Sequence, residues 1–131
     1  TPLVAQGETI EALDEPCQPV GVYRDTRPVI RQIPLTEGLT VLVFTDGIQN
    51  AGERYGTPMQ VEAEFRGLLA QGVSTQGMAD ALLEKAVALD QGRPADDVSV
   101  VVLQVVAGDG EAARRMTVRL PLGPWRRAEG G

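Results

Sequence analysis

Two acidic sites could do chemistry in this chain. Asp46 stands in Thr45-Asp46-Gly47, where one apolar run stops, and Asp96-Asp97 stands where another begins. A carboxylate placed as a strand leaves its sheet can face a ligand, and a glycine beside it lets backbone approach closely. Carboxylate oxygens suit a hard cation such as Mg²⁺ or Mn²⁺, which takes carboxylate and water ligands. A lone Asp-Gly ordinarily reads as a turn aspartate capping its own loop. The second acidic site, about fifty residues on, is what points to a metal here. The chain has no histidine and a single cysteine, Cys17. That removes Ser-His-Asp and Cys-His catalysis, together with every His-based zinc site. Any chemistry has to run on carboxylates.

Two strands must position these groups. Leu39 and Val41 to Phe44 form an apolar run too short for a helix core, which predicts a strand buried on both faces. Val98 to Val106 predicts a second near-continuous apolar strand. If the two are antiparallel neighbours, the end of the first lies beside the start of the second, and Asp46 and Asp96 share one sheet edge. Carboxylates brought together there repel one another and gain from a shared divalent cation. Strand alternation sends Asp96 and Asp97 opposite ways, so one of them should point at the site. Asp96 is the candidate, and Asp97 reads more simply as a solvated turn residue or cap.

The rest of the chain is a scaffold. Residues 1–13 read as a hairpin turning at Gln6-Gly7, and Val20-Gly21-Val22-Tyr23 as a short extended piece. Pro28 to Ile33 predicts a strand forming an antiparallel hairpin with the central one. Gln49 to Tyr55 is polar and predicts a mobile surface loop. Thr57, Pro58 and Gln60 make a capping box for a helix with a stripe of Val61, Phe65, Leu68 and Leu69, stopped by Gly72. Ser74 or Thr75 opens a second helix with a stripe of Ala79, Leu82, Leu83, Ala86 and Leu89, ended by Gly92 and Pro94. Arg115 to Leu120 alternates as an outer strand, and residues 123–131 read as a flexible tail beyond a domain of residues 1–122. This order gives an α+β fold, a mainly antiparallel sheet packed with an antiparallel helix pair.

Composition sets outer bounds. At 131 residues and 43% hydrophobic the chain is one ordinary domain with enough apolar mass for a core. The net charge of −6, with scattered Lys and Arg, argues against nucleic acid. No apolar run reaches membrane-spanning length and no signal peptide opens the chain. The lone cysteine fits a reducing, cytoplasmic setting.

Three motifs in order carry a resemblance. Pro19-Val20-Gly21-Val22, then Leu35-Thr36-Glu37-Gly38-Leu39 leading into VLVFTDGIQNA, then GRPADDVSVVVLQV resemble the type 2C metal-dependent protein phosphatases, and most of all the bacterial SpoIIE-type branch. The likeness runs from Pro2 to Val106. It implies that Asp46 and Asp96 are metal aspartates, with Gly47 following Asp46 as the family pattern requires. It further implies two Mn²⁺ or Mg²⁺ ions that bind phosphate and activate water. The implied fold is a type 2C-like α/β sandwich. The implied substrate is a phosphoserine or phosphothreonine protein, in this branch often an anti-sigma-factor antagonist.

The departures also carry expectations. Asn50 replaces the usual Glu after Thr-Asp-Gly, and Glu37-Gly38-Leu39 replaces the usual Gly-Asp. The family's earlier Asp and Asp-Gly ligands precede the matched region, so the chain resembles the C-terminal half of a phosphatase domain. Alone it should be inactive, with the N-terminal half or a second copy as partner. Two other readings stay open. One is a non-catalytic regulatory or interaction module derived from a phosphatase. The other is a von Willebrand A-type adhesion module, which also uses Thr-Asp-Gly but needs an upstream Asp-x-Ser-x-Ser strand that this sequence lacks.

Overall fold

The computed structural model describes residues 1–18, 22, 24–25 and 28–108. Apolar residues at every second position make strands wherever a partner is available. Leu3–Gln6 (β1) and Thr9–Ala12 (β2) form the N-terminal hairpin, with Gln6 opposite Thr9 so that Gly7-Glu8 makes the turn, one residue later than expected. Thr40–Phe44 (β3) and Val100–Gln104 (β4) are the two apolar strands. The sheet runs β2-β1-β3-β4, and every neighbouring pair is antiparallel.

The partner of β3 corrects the sequence reading. β3 pairs with β1 on one side, Leu3 opposite Leu42, and with β4 on the other. Residues 28–33 form no strand. They are bounded by Pro28 and Pro34, alternate poorly, and leave Ile30 78% exposed, so they have neither the ladder donors nor the buried face a strand needs. The segment is attached through side chains instead, with Arg31 paired to Glu11 and, at 2.9 Å, to Glu15.

Two helices cover one face. Val61–Ala70 (α2) and Thr75–Leu89 (α3) place Phe65, Met78, Leu82 and Ala86 against Leu3, Ala5, Leu42 and Ile48 in a single core. The first expected stripe is present, and the second is present in Leu82, Leu83, Ala86 and Leu89, with Met78 in the core where Ala79 was expected. Ser74 caps α3, its hydroxyl accepting the Gly77 N–H at 3.2 Å. The expected capping box at Thr57 does not form. The Thr57 and Met59 N–H groups donate to the carbonyls of Gly52 and Ala51, which holds residues 57–60 out of the helix until Val61. Residues 49–55 are likewise no loose loop. They carry a 3₁₀ turn, Glu53–Tyr55, and bury Ala51 and Gly52.

β3 is buried on one face only. Leu42 and Phe44 face the helices with Val100 and Val102, whereas Val41 and Val43 stand on the opposite face, away from the core expected for them. There Val43 is 41% exposed and Val101 and Leu103 are each 52% exposed. On the β1 side of that face, Val4 is buried and lines a cleft with Ile33, Pro34 and Leu39. The expected extended piece at 20–23, bar Val22, the strand at 115–120 and the tail lie outside the described residues.

This asymmetry can be measured. Phe65→Ala should lower unfolding stability by about 3–5 kcal/mol through the cavity it leaves. Val101→Ala should change it by no more than about 0.5 kcal/mol. Urea denaturation of the two variants checks the difference.

Candidate metal centre

The site is built where β3 ends and β4 begins. Phe44 pairs with Val100, so the chain leaving β3 meets the chain entering β4. Thr45 makes the junction. Its N–H donates to the Ser99 carbonyl at 3.1 Å, and its hydroxyl donates to the Asp97 carbonyl at 2.8 Å while accepting the Ser99 N–H at 3.0 Å. A hydroxyl can donate and accept at once, which a carboxylate or an aliphatic side chain cannot do here. Thr45 thereby spans a gap that the regular ladder leaves open.

Gly47 explains why the next turn fits. A Cβ at this position would stand 2.4 Å from the Asp97 carbonyl oxygen and 3.1 Å from Val98 Cγ1. Only a residue without a side chain lets the two backbones meet so closely. Asp46 begins a single helical turn, Asp46–Gln49 (α1), with Thr45 in its N-cap position. The turn is anchored by Ile48, which is fully buried.

The aspartates have different attachments. Asp46 Oδ1 accepts the Gly47 N–H at 3.1 Å, and Asp96 Oδ1 accepts the Asp97 N–H at 2.8 Å. Asp97 enters the junction through its backbone carbonyl. All three residues are exposed. The register brings the expected pair of segments, one bearing Asp46 and one bearing Asp96-Asp97, to the same sheet edge. Thr45 was missed in the sequence as a functional position. The available signal was a hydroxyl residue at the strand exit, directly before the acid.

Oxygen donors of this kind suit Mg²⁺ or Mn²⁺ in type. They fall short in number, because among the described residues no three His, Cys, Asp or Glu side chains converge as a cation would need. No helix among the described residues is long and apolar enough to cross a membrane.

Comparison with known proteins gives the relationship. No curated protein matches the chain. The chain resembles the solved phosphatase domain of the cell fate determinant SpoIIE from Bacillus subtilis, with a TM-score of 0.57 and 17% identity over 81% of this chain and 48% of that one. A crystal form of that domain without domain swapping matches with the same TM-score and identity over 92% of this chain and 51% of that one. The same domain presoaked with Mn matches at 0.54 and 18% identity over 82% and 47%. The chain thus spans about half the length of the solved domains it matches. A family model, Stage II sporulation protein E (SpoIIE), matches residues 1–106. By that match over most of its length, and by the three motifs within it, the chain belongs to the SpoIIE family, the branch of the type 2C phosphatases that its sequence resembles.

Proposed function

We propose that this chain is the C-terminal half of a phosphatase domain that removes phosphate from phosphoserine or phosphothreonine proteins with Mn²⁺ or Mg²⁺. Anti-sigma-factor antagonists are the substrate class that the motif resemblance suggests. The observation that carries the reading is the Thr45–Asp97–Ser99 junction, which brings the Asp46 turn against the Asp96-Asp97 segment at one sheet edge. Asp46 and Asp96 would be this chain's share of the metal ligands. A bound divalent ion would supply phosphate binding and an activated water. The chain's own residues hold the two segments in register, through Thr45, and keep room between them, through Gly47.

The incomplete donor set among the described residues favours a half-site over a self-sufficient one. So does the bare sheet face of Val43, Val101 and Leu103, an apolar surface of the kind that another layer of a domain covers. The rest of the phosphatase domain is the proposed cover, and a second copy of the chain is the competing one. The same incompleteness keeps a non-catalytic module as the second reading.

The chain alone should show negligible Mn²⁺-dependent hydrolysis of p-nitrophenyl phosphate, and the intact domain should hydrolyse it. In the intact domain Asp46→Asn or Asp96→Asn should abolish turnover, whereas Asp97→Asn, which preserves the carbonyl held by Thr45, should cost less. Robust turnover by the 131-residue chain alone would refute the half-domain reading. Equal loss from all three substitutions would refute the choice of Asp96.

Gly47→Ala tests the close approach directly. It should lower stability by about 1–3 kcal/mol, the usual cost of overpacking, because the Asp97 backbone has to move. Thermal unfolding of the purified variant reads this out. A variant as stable as wild type would show that the approach is looser than described.

A further inference from the structure

Asp90 is the only charged residue buried among those described, at 4% exposure. It stands at the C-cap of α3, where the last helix carbonyls carry partial negative charge. A carboxylate at that end is repelled by the helix, and removing it from water adds a further cost unless it is paired. Helix stability therefore gives no reason for an acid here.

Its partners supply one. The Oδ1 atom of Asp90 accepts the Gly52 N–H at 3.0 Å and lies 3.7 Å from Arg54 Nε. Arg54 also donates to the carbonyl of Asp90, at 3.4 Å, and to that of Arg93. Gly52 has φ +76°, and a Cβ there would stand 2.1 Å from the Thr57 carbonyl oxygen. The N–H that Asp90 holds thus belongs to a backbone turn that only glycine can make.

Residues 45–57 carry Asp46, and residues 90–99 carry Asp96. They are fastened to each other at two places. Thr45 and Gly47 lie on Asp97 and Ser99 at the strand end, and Gly52 and Arg54 lie on Asp90 and Arg93 at the far end. One attachment would leave a hinge, and the second removes rotation about it. We propose that Asp90 is a positioning residue that locks the Asp46-bearing and Asp96-bearing segments into one body. This rests on the phosphatase reading above, in which a displacement of about 1 Å in a reacting group can cost on the order of 10²-fold in rate.

The test uses the intact protein with Asp90→Ala and Asp90→Asn, the latter retaining an acceptor for the Gly52 N–H. Amide hydrogen exchange should rise about tenfold in Asp90→Ala across residues 46–52 and 96–99, with β1 and α2 unchanged. In Asp90→Asn it should stay within about threefold of wild type. With Mn²⁺ and p-nitrophenyl phosphate, kcat should fall about tenfold in Asp90→Ala and be largely restored in Asp90→Asn. Exchange unchanged in both segments, confined to 50–54, or raised equally throughout the core would overturn the proposal. If Asp90→Ala does not fold, Arg54→Ala asks the same question from a side chain that is 43% exposed. Exchange should then rise a few-fold in the same two segments, and no change there would overturn the proposal. Absence of Mn²⁺-dependent turnover in the wild-type protein would refute the phosphatase reading, while the exchange measurements would still decide whether Asp90 locks the two segments.

Discussion

The close meeting of two backbones at the β3–β4 exit is the constraint on which the site depends. Thr45 fills the last rung of the ladder with its hydroxyl, and Gly47 leaves out the side chain that would hold Asp97 away. The remaining elements serve that meeting. β1 flanks β3 on its other side, the helices fix one face of the sheet, and Ile48 pins the short helical turn from beneath. A carboxylate on a free loop would sample many positions. Asp46 instead begins a turn whose next two residues are both buried.

Much of this was legible in the sequence, for identifiable physical reasons. The two apolar runs ending and starting at acids gave the antiparallel pair and the meeting of the Asp46 turn with the Asp96-Asp97 segment. Helix stripes and the stops at Gly72 and Gly92 were equally readable, because period and glycine chemistry are local signals. The failures came where distant contacts override local preference. Thr57-Pro58 has the chemistry of a helix start, yet its backbone is held by the 51–52 turn. Residues 28–33 have strand-like composition but no strand to pair with, since β1 already occupies the place beside β3. No local rule reports that Leu3–Gln6, far back in the chain, will take it.

The one-sided burial of β3 has a similar origin. A run such as Val41-Leu42-Val43-Phe44 predicts cover on both faces, because a single exposed face would carry polar residues in alternate positions. The structure covers one face with the helices, while on the other Val4 is buried and Val43, Val101 and Leu103 stay exposed. The sequence and the bare face thus agree with each other. Both place apolar side chains at Val43, Val101 and Leu103.

Thr45 and Ser99 are 54 residues apart, with α1, α2 and α3 between them. Closing a loop of that length costs chain entropy before any contact across it repays the loss. The helical hairpin between them is local and can assemble first, bringing the ends of β3 and β4 within range. The acidic edge exists only once that closure has been made. A ligand that binds there selects chains that have completed their longest-range closure, and a partly folded chain, whatever its helix content, presents two unrelated acidic loops.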